Sequence, residues 1–220
     1  MANKFTLDLS TATGAGYFTV KKGTTTGGAT YISTTDYAKI TDKSKVTQLA
    51  TVAVSNDVYT LNYNGARAIE IAPTSAVRTT WNIRTGAGSD SIDASKFASG
   101  STVNAGNGDN SIVGGVNTTI TTGTGRDTIT AGAGDTIKSG AGNDSIIIGA
   151  ATDVVVDAGE GKDTITAAGN GASIAAGNGD DVIDLASGAT NATVNAGAGN
   201  DSIRVATTGN QIALGAGTDT

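Results

Sequence analysis

The chain has 220 residues, of which 32 are glycine, one is proline and only 4% are aromatic. It has no cysteine and no histidine, which excludes disulfides, thiolate metal sites, the usual zinc ligands and the commonest general base. The net charge of −6 divides unevenly: residues 1–84 hold nine Lys/Arg and five Asp/Glu (+4), residues 85–220 five and fifteen (−10). So acidic a region argues against nucleic acid as a partner and for cations.

In chain order, the start Met1-Ala2-Asn3-Lys4-Phe5-Thr6-Leu7-Asp8 lacks the apolar run of a signal peptide, and no stretch is long enough to span a bilayer. Export, if it occurs, uses a signal not visible in these residues. Residues 1–80 show no repeat. They alternate as strands do at Tyr17–Val20, Val52–Val54, Val58–Leu61 and Ala68–Ile71, with turn residues at Gly27-Gly28, Ser55-Asn56-Asp57 and Asn64-Gly65. All five tyrosines and two of the three phenylalanines lie here. The expectation is a small N-terminal β cap domain over residues 1–80, covering one end of a repeat region.

From residue 81 one phrase returns: Gly86-Ala87-Gly88-Ser89-Asp90-Ser91-Ile92 recurs at Gly123–Ile129, Gly140–Ile146, Gly159–Ile165, Gly177–Ile183 and Gly197–Ile203. A variant at Gly106–Ile112 carries Asn110 in the Asp place, and Gly215–Asp219 begins another. First glycines lie 20, 17, 17, 19, 18, 20 and 18 residues apart, the period of a solenoid. Aliphatics pair across each Gly-x-Gly turn at nine residues: Ile83/Ile92, Val103/Ile112, Ile120/Ile129, Ile137/Ile146, Val156/Ile165, Ile174/Ile183 and Val194/Ile203. The return distances from Ile92 to Ile212 vary between 8 and 11. Each coil therefore has two short strands, one turn of strict length and one of loose length. Residues two beyond each aliphatic are mostly small or apolar (Ala94, Gly114, Ala131, Ile148, Ala167, Leu185 and Val205; Ala105, Thr122, Ser139, Ala158, Ala176, Ala196 and Leu214), so they too are expected to point inward. The predicted architecture is all-β: an N-terminal β cap followed over 81–220 by a parallel β-roll, or β-solenoid, of about seven coils. The phrase at Gly215–Asp219 stops before its aliphatic, so the roll is expected to continue in a longer natural chain or to associate head to tail with another copy.

The strict turns carry the chemistry. Stacked strands lie about 4.8 Å apart, which sets Asp90, Asp127, Asp144, Asp163, Asp181, Asp201 and Asp219, with Asn110 among them, in one column. Such a column repels itself unless cations lie in it, and hard oxygens at that spacing suit Ca²⁺. The competing reading is that each Asp only bonds amides of its own turn. The phrase resembles the calcium-binding nonapeptide of the RTX (repeats-in-toxin) family, G-G-x-G-x-D-x-U-x, over about residues 83–220. The resemblance implies a β-roll in which the Asp carboxylates and turn carbonyls bind Ca²⁺ between coils. Two departures stand out. The family's first glycine is replaced by Thr85, Ala105, Thr122, Ser139, Ala158, Ala176, Ala196 and Leu214, and the loose turns carry no matching acidic column (Thr118, Asp135, Val154, Ala172, Ala192, Asn210). Ions are thus expected along one edge only.

No enzyme signature appears. The Gly-x-Gly strings lack the Lys-Ser/Thr of a phosphate loop, Asp180-Asp181 lies on an edge and not in a cleft, and no zinc-protease or serine-hydrolase motif occurs. The expected role is non-catalytic: a calcium-stabilised structural module of a secreted or cell-surface protein, as a surface-layer, fibre or adhesin component. One alternative is an appendage of a larger secreted enzyme or toxin. Another is an adhesin that binds glycan or ice through outward Ser/Thr columns (Ser91, Ser111, Thr128, Ser145, Thr164, Ser202; Thr102, Thr119, Thr136, Ser173, Thr193), although β propensity also accounts for those columns.

Overall fold

A computed structural model describes every residue from 80 to 220 and, before them, seven strands: Lys4–Asp8, Lys21–Gly23, Ala29–Tyr31, Ile40–Asp42, Val46–Leu49, Val58–Asn62 and Ala68–Ile71. No helix occurs among the described residues. From Trp81 the chain winds as a parallel β-solenoid of about eight turns. One sheet collects eight strands from Trp81–Arg84 to Gln211–Ala216, and the other seven from Ser91–Asp93 to Ser202–Val205.

Coils stack in register, so that like sits on like: Ile120 beside Ile137, Ile137 beside Val156, Ile129 beside Ile146 and Ile146 beside Ile165. The alternation of strand side chains sends these aliphatics between the sheets, where Ile120, Ile129, Ile137, Ile146 and Ile165 are fully buried. The residues two further along are the packing partners. Ala105, Ala158, Ala176 and Ala196 are buried with them, and their small volume lets the two sheets approach closely. Within one coil this core is only two side chains deep. Burying an aliphatic contributes about 1.5–3 kcal/mol, against about 1–2 kcal/mol per residue for ordering backbone, so a coil is held mainly by its neighbours. At the N-terminal side of this stack, Trp81 and Phe97 lie ring on ring, 5.5 Å between centroids.

The last coil departs from the expected inward set. Val205 and Leu214 are 41% and 44% exposed, and Ile212 is 38% exposed. Strand parity points them inward, but coverage comes from the next coil, and among the described residues none lies over them.

The described backbone of the first 71 residues joins both sheets. Val58–Asn62 runs parallel to Trp81–Arg84 and Lys4–Asp8 parallel to Val58–Asn62, while Ala68–Ile71 and then Val46–Leu49 extend the other sheet in parallel. Beyond these the pairing turns antiparallel, through Lys21–Gly23 and Ala29–Tyr31 in one sheet and Ile40–Asp42 in the other. The rest of the cap domain expected over 1–80 lies outside the described residues. No helix among the described residues is long and apolar enough to cross a membrane.

Candidate metal centre

The strict turn is built on glycines that no other residue could replace. Gly142 has φ +144°, outside the range of ordinary side chains, and a Cβ there would overlap the carbonyl oxygen of Gly125 in the preceding coil. Gly108 repeats the arrangement, with φ +108° and the Gly88 carbonyl oxygen 2.7 Å from where a Cβ would be. Backbone is thus packed on backbone from coil to coil, which is why this turn keeps its length.

Each turn ends on the expected acidic position, and the stacking gathers these residues into one column. Asp90, Asn110, Asp127, Asp144, Asp163, Asp181 and Asp201 are all buried, at 2% exposure or less; Asp219, on the last coil, is half-buried. From Asp127 onward, one oxygen of each carboxyl accepts a backbone N–H from the coil before it. Asp127 Oδ1 takes the Asn110 N–H, Asp144 Oδ1 that of Asp127, Asp163 Oδ1 that of Asp144 and Asp181 Oδ1 that of Asp163, each at 2.8 Å. Asp201 and Asp219 continue the series at 2.9 and 3.0 Å. The aspartates therefore bond the amides of a neighbouring coil and not of their own turn.

The second oxygen is left over. Oδ2 of Asp127, Asp144, Asp163, Asp181 and Asp201 is buried and receives no hydrogen bond. The hydroxyls of Thr122 and Ser139 lie beside the Asp127 and Asp144 carboxyls. Their protons, however, go to carbonyls of the next coil, Thr122 Oγ1 to Ser139 O (2.5 Å) and Ser139 Oγ to Ala158 O (2.9 Å). A buried carboxylate oxygen without a donor costs free energy, and burial also disfavours the ionised form. Burial raises Asp127, Asp144 and Asp181 above the ordinary carboxylate range despite their amide bonds. Asp163, between the like charges of Asp144 and Asp181, is pushed to about 6, chiefly by burial.

Two positions in or near the column differ. Asn110 sits in line with the aspartates and accepts the Asp90 N–H through Oδ1 (3.0 Å), but its Nδ2 donates to the Gly108 carbonyl (2.8 Å) and, more distantly, the Gly106 carbonyl (3.4 Å). On the loose edge, both Asp135 oxygens are satisfied by amides, Oδ1 by Thr118 N–H and Oδ2 by Gly132 N–H, each at 2.7 Å. Its neighbours on that edge, Val154, Ala172 and Ala192, are buried and apolar.

The sequence reading missed a second ladder one residue before the aspartates, at the exposed rim. Asp109 Oδ1 accepts the Arg126 N–H (2.8 Å), Asn143 Oδ1 that of Lys162 (2.9 Å) and Asp180 Oδ1 that of Asn200 (3.0 Å). The Lys162 ammonium, 2.5 Å from Asp180 Oδ2, holds that carboxyl below its ordinary range. The signal was present: Asn or Asp recurs just before the motif's acid at 109, 143, 180 and 200.

The donor set fits a hard cation. It offers carboxylate oxygens already stripped of water, with like charges above and below, and turn carbonyls that point at the same place in the Asn110 turn. No three acidic side chains converge on one point among the described residues. An ion here would thus draw on one or two carboxylates and complete its shell with carbonyls and water, as Ca²⁺ readily does and Mg²⁺, with its stricter geometry, does not.

The model of the RTX calcium-binding nonapeptide repeat matches this chain in four copies, at residues 114–146, 121–155, 146–170 and 187–220. No curated protein and no solved structure matches it. The turns ending at Asp127, Asp144, Asp163, Asp201 and Asp219 fall inside the matched stretches; those of Asp90, Asn110 and Asp181 carry the same geometry outside them. Residues 114–170 and 187–220 thus match RTX nonapeptide repeats, a calcium-binding structural repeat typical of secreted proteins.

Proposed function

We propose that the chain is a calcium-stabilised structural module of a secreted or cell-surface protein, a component of a surface layer, fibre or adhesin, and that it is not an enzyme. In this reading the ions lie along the strict edge only, held by Asp127, Asp144, Asp163, Asp181 and Asp201, with Asp90 and Asp219 at the two ends. The observation that carries it is the row of buried Oδ2 atoms without donors. Calcium supplies the positive charge that such a row lacks, and because the unfolded chain has no column to offer, binding adds RT ln(1 + [L]/Kd) to stability. The test is thermal melting in EDTA, in millimolar CaCl₂ and in millimolar MgCl₂. A marked rise with Ca²⁺ that Mg²⁺ does not match is expected, and melting indifferent to all three defeats the reading.

A further part of the proposal is head-to-tail self-association or continuation of the repeat. The acidic roll and the basic first 84 residues are complementary in charge. Light scattering with and without Ca²⁺ examines the association; a strictly monomeric protein at high concentration removes it.

A further inference from the structure

Asn110 stands where the other strict turns carry aspartate, and it is as buried as they are. Its Oδ1 makes the same bond as theirs, to the N–H of the preceding coil. That bond fixes the amide's orientation, because the NH₂ end cannot face another donor. Nδ2 therefore occupies the position that Oδ2 takes in the aspartates. There it donates to Gly108 O at 2.8 Å and lies 3.4 Å from Gly106 O, the carbonyls of its own turn's two glycines. In this turn the carbonyls converge on the second atom of the side chain. An N–H satisfies them; a carboxylate oxygen in the same place would set lone pair against lone pair unless a cation lay between.

We infer that Asn110 is a built-in substitute for a bound cation. Its amide supplies the positive end of a dipole where calcium would otherwise be needed, so that this turn closes without metal and interrupts the calcium column between Asp90 and Asp127. The coils around Asn110 then form in the absence of calcium and present an ordered edge on which the calcium-dependent coils stack. Two positions on the opposite edge obey the same rule. Asn210 takes the Ala192 N–H on Oδ1 (2.8 Å) and gives Nδ2 to Ala189 O (3.1 Å), and Asp135 has both oxygens bonded to amides. Where the second side-chain atom has a partner inside the protein, no ion is called for.

The inference rests on the calcium reading of the aspartates, and the experiment separates the two. Asn110→Asp and the reverse change, Asp144→Asn, are each melted in EDTA at pH 7.5 and titrated with calcium by calorimetry. Asn110→Asp should melt about 5 °C or more below the parent in EDTA, recover in calcium, and bind one more ion. Asp144→Asn should bind one ion fewer and melt higher than the parent in EDTA, because its new N–H reaches turn carbonyls. An Asn110→Asp protein with unchanged melting in EDTA and an unchanged ion count overturns the inference, as does one that stays unfolded in saturating calcium. No gain in EDTA for Asp144→Asn also counts against it. If the parent protein binds no calcium, the calcium reading fails by itself, and the EDTA melts still judge the role of the Asn110 amide.

Discussion

Without metal, the roll should be more stable in mild acid than at neutral pH, the reverse of the usual behaviour of a protein held by ionised carboxylates. The perturbation is a shift from pH 7.5 to pH 5.0 in EDTA. Asp163 has a folded pKa of about 6 against an ordinary value of 3.8. Between those values the folded state binds more protons than the unfolded one, so stability falls as pH rises through that window. Worked through, this one group makes the folded state about 1.4 kcal/mol more stable at pH 5.0 than at pH 7.5, and at most about 3 kcal/mol more stable below pH 3.8. Asp127, Asp144 and Asp181 are raised for the same cause and add to it in the same direction. For a chain of this size the Asp163 contribution alone corresponds to about 3–6 °C in Tm.

The chemistry behind the number is the cost of keeping a buried carboxyl ionised. A protonated carboxyl has an O–H to give where the carboxylate has only lone pairs, so a proton does in acid what calcium does at neutral pH. Proton and ion compete for one atom. In millimolar Ca²⁺ the added stability should therefore shrink as pH drops below about 6, and the two melting curves should converge. Far-UV circular dichroism melts at half-unit pH steps, in EDTA and in Ca²⁺, give both curves. An EDTA curve that is flat, or that falls from pH 7.5 to 5.0, refutes the assignment of the buried Oδ2 atoms as the weak point of the metal-free roll.

Single positions give further outcomes. Asp144→Ala and Asp163→Ala should each lower the calcium stoichiometry or affinity measured by calorimetry, since each removes the carboxylate between two coils. Asp135→Ala should leave the ion count unchanged while costing about 2–4 kcal/mol in urea unfolding, because it strands the buried Thr118 amide and the half-buried Gly132 amide. Gly142→Ala, with a Cβ driven into the Gly125 carbonyl at φ +144°, should cost about 3 kcal/mol or more and broaden the melt even in saturating calcium. Ile146→Ala, a truncation at a fully buried rung, should cost about 2–5 kcal/mol with the ion count intact.

The parts of the fold legible in the sequence are those governed by periodicity. Ile137 and Ile146 are nine residues apart because one strict turn joins two strands, and both are fully buried. The column of acids was legible for the same reason, since one turn repeated at one register must place its acid above its copy. What periodicity does not encode is which atom meets which. Nothing in the spelling Gly-Asn-Asp says that the second letter bonds the coil after it while the third bonds the coil before it. Nor does parity say whether an inward residue is covered: Leu185 and Val205 hold equivalent positions on successive coils, yet one is fully buried and the other 41% exposed. Before Trp81 the sequence offered no period to count, although the backbones of Val58–Asn62 and Ala68–Ile71 already run in both sheets.

Calcium dependence in this fold stems from how the turn solves its own packing. Stacking coils at strand spacing requires a residue that accepts the preceding coil's amide from a buried position, and a short planar side chain with an oxygen at its tip does this well. Serine would reach less far, and glutamate would not fit the tight turn. Aspartate and asparagine both qualify, and they differ only in the second atom. Asparagine closes the turn with its own N–H and leaves it permanently set, as at 110. Aspartate leaves a buried oxygen without a donor, the atom that the proposal gives to a cation. A run of asparagines would give a roll that folds anywhere. On the proposed reading, the run of aspartates from 127 to 201 gives one whose firmness follows the calcium supply. On that reading the choice at a single atom, repeated once per coil, is enough to tie folding to calcium.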